Sequence, residues 1–345
     1  MATDERNYTD LGCQSQVDSE EKVASKILAY SAVFLVALVG NIRVIALVLR
    51  SQGMRRRTIN LFVVNMAISD LLICLFVMPR TMVEIADIPV KWHVEGIIGN
   101  ALCKLVFFIQ DTSIAVSIES LVIIAFDRYF ALAYPTHAAP TSRRRLLIIM
   151  MTWIVAFFVH CPYFFTYKLE SFGNTTFCIE VWSLNPLEHV EKKKTFFYAT
   201  FSLFCLAPMV LLTALYSGIL YKLKQQGYLI RSVSNGSTSS KRKREYHVLK
   251  MAIAILIGFA VCWAPVNTFI FIFVFIWKFA LPCNLNDLVF FVFFMAYANS
   301  AVNPCIYIYF SRNFQKLSKR HLTQKRINFE AMQNFFRMRN MARVY

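Results

Sequence analysis

The sequence predicts an all-α fold, a bundle of seven membrane-spanning helices followed by a short amphipathic helix on the cytoplasmic side. Three observations predict it. The 345 residues are 57% hydrophobic and only 17% charged, with a mean hydropathy of +0.49, which leaves too little polar surface to coat a soluble chain of this size. The apolar residues fall in blocks of about twenty or more, the length a helix needs to cross a bilayer core. Basic residues gather in alternate gaps between those blocks.

The alternation orients the chain. Arg50, Arg55, Arg56 and Arg57 follow the first block, and Arg143, Arg144 and Arg145 precede the fourth. Lys241, Arg242, Lys243 and Arg244 precede the sixth, and Arg312, Lys316, Lys319, Arg320, Lys325 and Arg326 follow the last. The intervening gaps mix both signs, as where Lys192, Lys193 and Lys194 sit near Glu170, Glu180, Glu188 and Glu191. Such a pattern places the N-terminus outside and the C-terminus in the cytoplasm, and requires an odd number of spans. The formal net charge of +17 is therefore read as membrane topology and not as a nucleic-acid surface.

Residues 1–26 form a polar, acidic extracellular tail (Asp4, Glu5, Asp10, Asp18, Glu20, Glu21). With no charged-then-apolar leader ahead of it, the first span is expected to act as its own insertion signal. The transmembrane domain covers 27–309, with spans predicted at 27–50, 59–82, 101–133, 144–166, 196–223, 246–276 and 287–309. Between the fifth and sixth, the stretch from Ser232 to Ser240 reads as flexible linker. In the cytoplasmic segment 310–345, Phe310, Phe314 and Leu317 recur at helical spacing among basic residues, which suggests a helix lying on membrane lipid. No cysteine follows it, so a palmitate anchor is not expected.

Cys13, Cys103, Cys178 and Cys283 fall outside, where disulfides persist. Cys74, Cys205, Cys262 and Cys305 fall inside apolar blocks as reduced packing residues, and no zinc-type spacing occurs. Asn7 and Asn174 begin glycosylation sequons on extracellular segments; Asn235 begins a third in the cytoplasm, where the modification does not occur.

Ionisable groups at bilayer depth cost about 2.5–3.5 kcal/mol each on insertion scales and point to function by default. Asp70 lies at the centre of the second span, with Ser117 in the third and Asn299, Ser300 and Asn303 in the seventh as candidates to surround it. Asn299 and Asn303 are four apart and share a helix face. Together they suit a small cation or a water network, the alternative being polar glue between helices. Asp127-Arg128-Tyr129 sits at the inner end of the third span. Pro265 beside Trp263, and Pro304 between Asn303 and Tyr307, each remove a helical hydrogen bond and so create a pivot.

Taken in order, these landmarks resemble the rhodopsin-like (class A) G-protein-coupled receptors along nearly the whole chain. The match comprises Gly40-Asn41; Asn65 and Asp70; Cys103 with Asp127-Arg128-Tyr129; Trp153; Pro208 with Tyr216; Phe259 with Trp263 and Pro265; and Asn303-Pro304 with Tyr307. The resemblance implies a receptor that activates a heterotrimeric G protein, and no enzyme. It implies a Cys103–Cys178 disulfide, and a sodium pocket of Asp70, Ser117, Asn299, Ser300 and Asn303, with sodium as an allosteric ligand and no other cofactor. It implies a repacking trio of Ile118, Pro208 and Phe259 beneath Trp263, and an inner rearrangement of Arg128, Tyr216 and Tyr307. Glu245, twenty residues before Pro265 and so roughly 30 Å away, would pair with Arg128 in the resting state. Arrestin would read phosphates on the serines and threonine of the third cytoplasmic loop (Ser232 to Ser240). Two residues depart from the pattern. Arg43 stands where the family has an apolar residue and, two positions beyond Asn41, faces lipid. Glu119 is an acid inside the third span with no assigned role.

For the ligand, amine receptors of this family carry an Asp seven residues after the cysteine that corresponds to Cys103; here Gln110 holds that place, followed by Asp111. Gln110 and the segment Cys178-Ile179-Glu180-Val181-Trp182 resemble the neuropeptide receptors. Glu84, Asp87, Glu95, Asp111 and Glu180 form an expected acidic rim that attracts a basic peptide. Gln110, Asp111, Glu180, Trp263 and Tyr297 are the candidate ligand contacts. A small amine reaching Asp111 is the rival. A transporter or channel could use Asp70 and Arg128 as pathway charges, but the chain has neither an inverted repeat nor a pair of broken helices at matching places. The expected location is the plasma membrane.

Overall fold

A computed structural model describes residues 18–87, 91–134, 141–230, 236–277, 281–282 and 285–310; for 223, 224, 226–230 and 236–248 the description covers the backbone alone. Among the described residues seven helices are long and apolar enough to cross a membrane. They are helix 1 (Glu20–Arg50), helix 2 (Thr58–Ala86), helix 3 (Gly96–Ala133), helix 4 (Ser142–His160, with a further turn at Tyr163–Thr166), helix 5 (from Pro186 through Ala207–Ile230), helix 6 (Gly236–Phe275) and helix 7 (Asn286–Phe310). The expected amphipathic helix after Phe310, the sequon at Asn7, and Cys13 and Cys283 lie outside the described residues.

The helices run longer than the apolar blocks because capping, and not hydropathy, sets their ends. Helix 1 begins at Glu20, inside the segment expected to be tail. Ser19 accepts a hydrogen bond from the Lys22 amide at 3.4 Å, and Glu20 and Glu21 occupy the first turn, where the helix dipole favours acids. Lys26 is tolerated there because Asp18 (2.6 Å) and Asp287 of helix 7 (2.8 Å) pair with it. Helix 5 likewise starts at Pro186, with the Asn185 side chain accepting from the Leu187 amide and proline at the first helical position. Part of the expected linker after helix 5 is helical: the backbone of helix 6 begins at Gly236.

Inside the bundle, Val44, Phe62, Met66, Ile124, Ile219, Ile255 and Tyr307 are sealed from the surroundings, while Leu28, Phe158, Val210 and Tyr309 face outward, where the solvent is lipid. Helices 1 and 7 meet closely. A Cβ on Gly40 would lie 2.7 Å from Pro304 Cγ, and the Asn41 amide donates to the Ser300 carbonyl at 2.9 Å. Helices 2 and 5 each contain a π-helical turn, at Ile73–Val77 and Ser202–Leu206.

One element was not foreseen. Between helices 4 and 5 the chain folds back as a hairpin, β1 (Tyr167–Phe172) antiparallel to β2 (Thr175–Glu180), turning at Gly173 with φ of +59°. The disulfide between Cys103 and Cys178, with Cα atoms 5.7 Å apart, ties β2 to the outer end of helix 3.

Candidate ligand-binding and signalling site

Beneath the hairpin a polar chain crosses the outer half of the bundle. Gln110 on helix 3 accepts from Arg80 of helix 2 and from the Tyr297 hydroxyl of helix 7, each at 3.4 Å, through the same side-chain oxygen. Its amide nitrogen then faces Asp111 (3.4 Å), whose other oxygen accepts from the Tyr163 hydroxyl at 2.6 Å. Arg80 is held by Glu84 at 3.0 Å and lies over the ring of Phe107 at 4.4 Å. Phe107 stacks on Tyr167 at 4.2 Å, and Tyr167 meets Tyr163 edge-on. Hairpin and helices thus share one aromatic and hydrogen-bonded wall. Burial first, then the carboxylates of Glu180 and Asp111, push the Tyr167 phenol well above its ordinary range, so it stays neutral.

The expected acidic rim is mostly neutralised from within. Glu84 pairs with Arg80, Asp87 with Lys91 and His93, and Glu180 with Lys193 at 2.7 Å while accepting from Trp182 Nε1. Asp111 differs: Tyr163 and Gln110, which hold it, are both uncharged. Of the five acids it is the one held by uncharged side chains, while Glu95 is exposed and joins no ion pair among the described residues. Arg80, Tyr163 and Tyr167 escaped sequence reasoning. An arginine ten residues past Asp70 in an apolar span was the available signal for the first.

One layer deeper, Asn303 donates to Asp70 at 3.0 Å and Ser69 bonds Ser117 at 2.8 Å. Asp70, Ser113, Ser117, Trp263, Asn299 and Ser300 border a cavity of about 10 Å³, the size of one water-like sphere. The side-chain oxygen of Asn299, at the cavity, and that of Asn303, beside Asp70, are buried without a hydrogen-bond partner. Oxygen donors with spare lone pairs around one carboxylate suit a small hard cation. Trp263 stacks on Phe259 at 5.8 Å, and Phe259 and Ile118 are buried in the same apolar cluster. Beside Pro265, inside helix 6, the Asn267 side chain donates to the Trp263 carbonyl.

A profile of the family described as "7 transmembrane receptor (rhodopsin family)" matches residues 40–307. The chain belongs to that family. It is a multi-pass membrane receptor and not an enzyme. It is similar to rabbit (Oryctolagus cuniculus) neuropeptide Y receptor type 6, 30% identical over 299 residues, covering 84% of this chain and 78% of that receptor. Zebrafish (Danio rerio) galanin receptor 2a is 31% identical over 306 residues, covering 86% and 78%. Human neuropeptide FF receptor 1 is 29% identical over 325 residues, covering 89% and 72%.

At the receptor's inner end Arg128 binds Asp127, its neighbour in sequence. The expected pairing with Glu245 is not described: the backbone of Glu245 lies in helix 6 and its side chain lies outside the description. Tyr129 packs on helix 5 where Gly218 leaves room, since a Cβ there would lie 2.9 Å from the ring. Tyr216 and Tyr307 are buried, and the Tyr307 hydroxyl donates to Met66 Sδ at 3.5 Å. Asn174 is exposed at the hairpin turn. Glu119 keeps one carboxylate oxygen buried without a partner, and no role follows from its place.

Proposed function

We propose that this receptor binds an extracellular peptide against the polar wall beneath the β1–β2 hairpin and, once bound, activates a heterotrimeric G protein. The observation that carries the reading is the polar chain Arg80–Gln110–Asp111–Tyr163 with Tyr297, roofed by a disulfide-tied hairpin. Relatives over nearly the whole chain being neuropeptide receptors supports it. Asp111, with uncharged partners, offers a cation on the peptide its counter-charge, and Gln110 offers a fixed amide. Agonist contact reaches Trp263 and Phe259, and the Pro265 kink lets helix 6 swing to expose Arg128, Tyr216 and Tyr307. Arrestin engages the phosphorylated loop from Ser232 to Ser240, and lipid contacts the segment after Phe310. Asp70, Ser117, Asn299, Ser300 and Asn303 would hold a sodium ion, whose charge would favour the resting packing of helices 2, 3 and 7. The receptor sits in the plasma membrane with its N-terminus outside, in line with the basic residues gathered on the opposite side.

The uncompensated charge of Asp111 also fits a biogenic amine. A panel of amidated peptides and biogenic amines, applied to cells expressing the receptor with a G-protein dissociation sensor, separates the two. A peptide agonist whose potency falls in Gln110→Ala and Asp111→Asn supports the proposal. An amine agonist with no peptide response refutes it. An N-terminal epitope read on intact cells tests the orientation.

A further inference from the structure

Arg43 lies on the face of helix 1 turned away from the bundle. Asn41, Val44 and Val48 are fully buried, whereas Arg43 is exposed together with Val36, Val39 and Ile42. No hydrogen bond or ion pair joins Arg43 to any described residue. Seven residues on, exposed Arg50 ends the helix. Seven residues turn a helix to within about 20° of two full turns and raise it about 10.5 Å. The two guanidiniums therefore share one stripe, Arg50 at the helix end and Arg43 two turns deeper among apolar side chains.

A charge in that position requires an anion. Among the described residues a second copy of this chain has little to present at this depth: Asp70 is buried, Glu119 is half-buried with one carboxylate oxygen sealed in, and Asp127 is bound to Arg128. Bulk water does not serve either. Side chains leave a helix tilted towards its N-terminus, so Arg43 starts out directed away from the nearer headgroups. A phospholipid meets the requirement, because phosphate oxygens match the guanidinium fork and the cytoplasmic leaflet is anionic.

We propose that Arg43 and Arg50 form a binding site for an anionic phospholipid of the cytoplasmic leaflet. They draw its phosphate below the headgroup plane and let its acyl chains run along Val39 and Val36. The site rests on the orientation proposed above, with Arg50 on the cytoplasmic side, and not on the identity of the ligand.

The test uses the full-length receptor in bilayers of phosphatidylcholine and phosphatidylserine in equal parts, transferred to neutral detergent and weighed by native mass spectrometry. Wild type is expected to retain phosphatidylserine over phosphatidylcholine by about fivefold, the preference set by one basic residue at an anionic surface. Arg43→Gln, which keeps Arg50, is expected to lower that ratio well below wild type, and Arg43→Lys to leave it in between, since an ammonium lacks the fork. An unchanged thermal unfolding profile shows that the variants are folded. A wild-type ratio of unity overturns the proposal, as does a folded Arg43→Gln that keeps the wild-type ratio. A stoichiometric second membrane protein lost from Arg43→Gln, with no lipid preference in wild type, overturns it in favour of a partner helix. If Arg43→Gln does not fold, the wild-type ratio and Arg43→Lys decide.

Discussion

Replacing Gly40 by alanine is expected to destabilise the receptor, and the contacts of helix 1 set the size of the effect. The new Cβ would lie 2.7 and 2.8 Å from Pro304 Cγ and Cβ, against about 3.5–4.0 Å for carbon atoms at their optimum. Close to 1 Å of separation must be found, and the proline ring cannot rotate out of the way. Overpacking of this kind costs about 1–3 kcal/mol, while alanine regains up to about 1 kcal/mol of helix propensity over glycine. The net loss is up to about 2 kcal/mol. Two other glycines calibrate the expectation. At Gly258 the added Cβ meets Val302 Cγ1 at 3.0 Å and Ile306 Cδ1 at 3.1 Å, contacts that a few tenths of an ångström of movement relieve. At Gly53 it meets nothing within 4 Å. Thermal unfolding of the purified variants should therefore rank Gly53→Ala at or above wild type, Gly258→Ala near it, and Gly40→Ala clearly below. If Gly40→Ala unfolds no lower than Gly258→Ala, the helices are not in the close contact described, and the reasoning fails.

Four further outcomes are expected. Tyr163→Phe deletes a 2.6 Å hydrogen bond to Asp111, a charged bond that contributes about 1.5–3 kcal/mol, so agonist dissociation from that variant should quicken in a radioligand washout. Cys103→Ser and Cys178→Ser should each abolish surface delivery or agonist response, read by surface immunolabelling and a G-protein sensor; normal signalling by either makes the disulfide dispensable. Sodium should lower agonist affinity for wild type but not for Asp70→Asn, when binding is compared in sodium and in a bulky organic cation at equal ionic strength. Glu245→Ala should raise ligand-free signalling at matched surface expression by up to about tenfold, the factor that 1.4 kcal/mol represents; unchanged basal activity assigns Glu245 to the solvated surface.

The seven spans were legible because the bilayer selects on one property, apolar length, that a sequence displays openly. Their ends were not. Ser19 and Asn185 extend helices 1 and 5 through polar segments, and hydropathy does not register a cap. The central polar layer was legible for a similar reason: Asp70 stands out against its neighbours, and the helical period brings Asn299 and Asn303 to one face. The outer chain was not. Arg80 meets Gln110 from 30 positions away, and Tyr163 meets Asp111 from 52, so their partnership exists only once helices 2, 3 and 4 are packed. For the same reason the expected acidic rim proved largely self-compensated. Glu180 and Lys193 looked like separate loop charges until the path from β2 into helix 5 brought them within 2.7 Å.

The contacts of helix 7 have a mechanical consequence. Above Pro304 the helix is fastened to helix 1 by Lys22 and Lys26, both on Asp287 near the outer surface, and by the Asn41 amide on the Ser300 carbonyl. Below Pro304 the hydrogen bond of the Tyr307 hydroxyl is a light one: it rests on a thioether sulfur at 3.5 Å, a poor acceptor that gives up little when exchanged for a water or a phenol. The helix behaves as a lever clamped at its upper arm, with its fulcrum where proline has removed a backbone bond and Gly40 seats the ring. Torque applied at the clamped arm turns the short inner arm, from Cys305 to Phe310, and the weak latch at Met66 sets how small that torque can be.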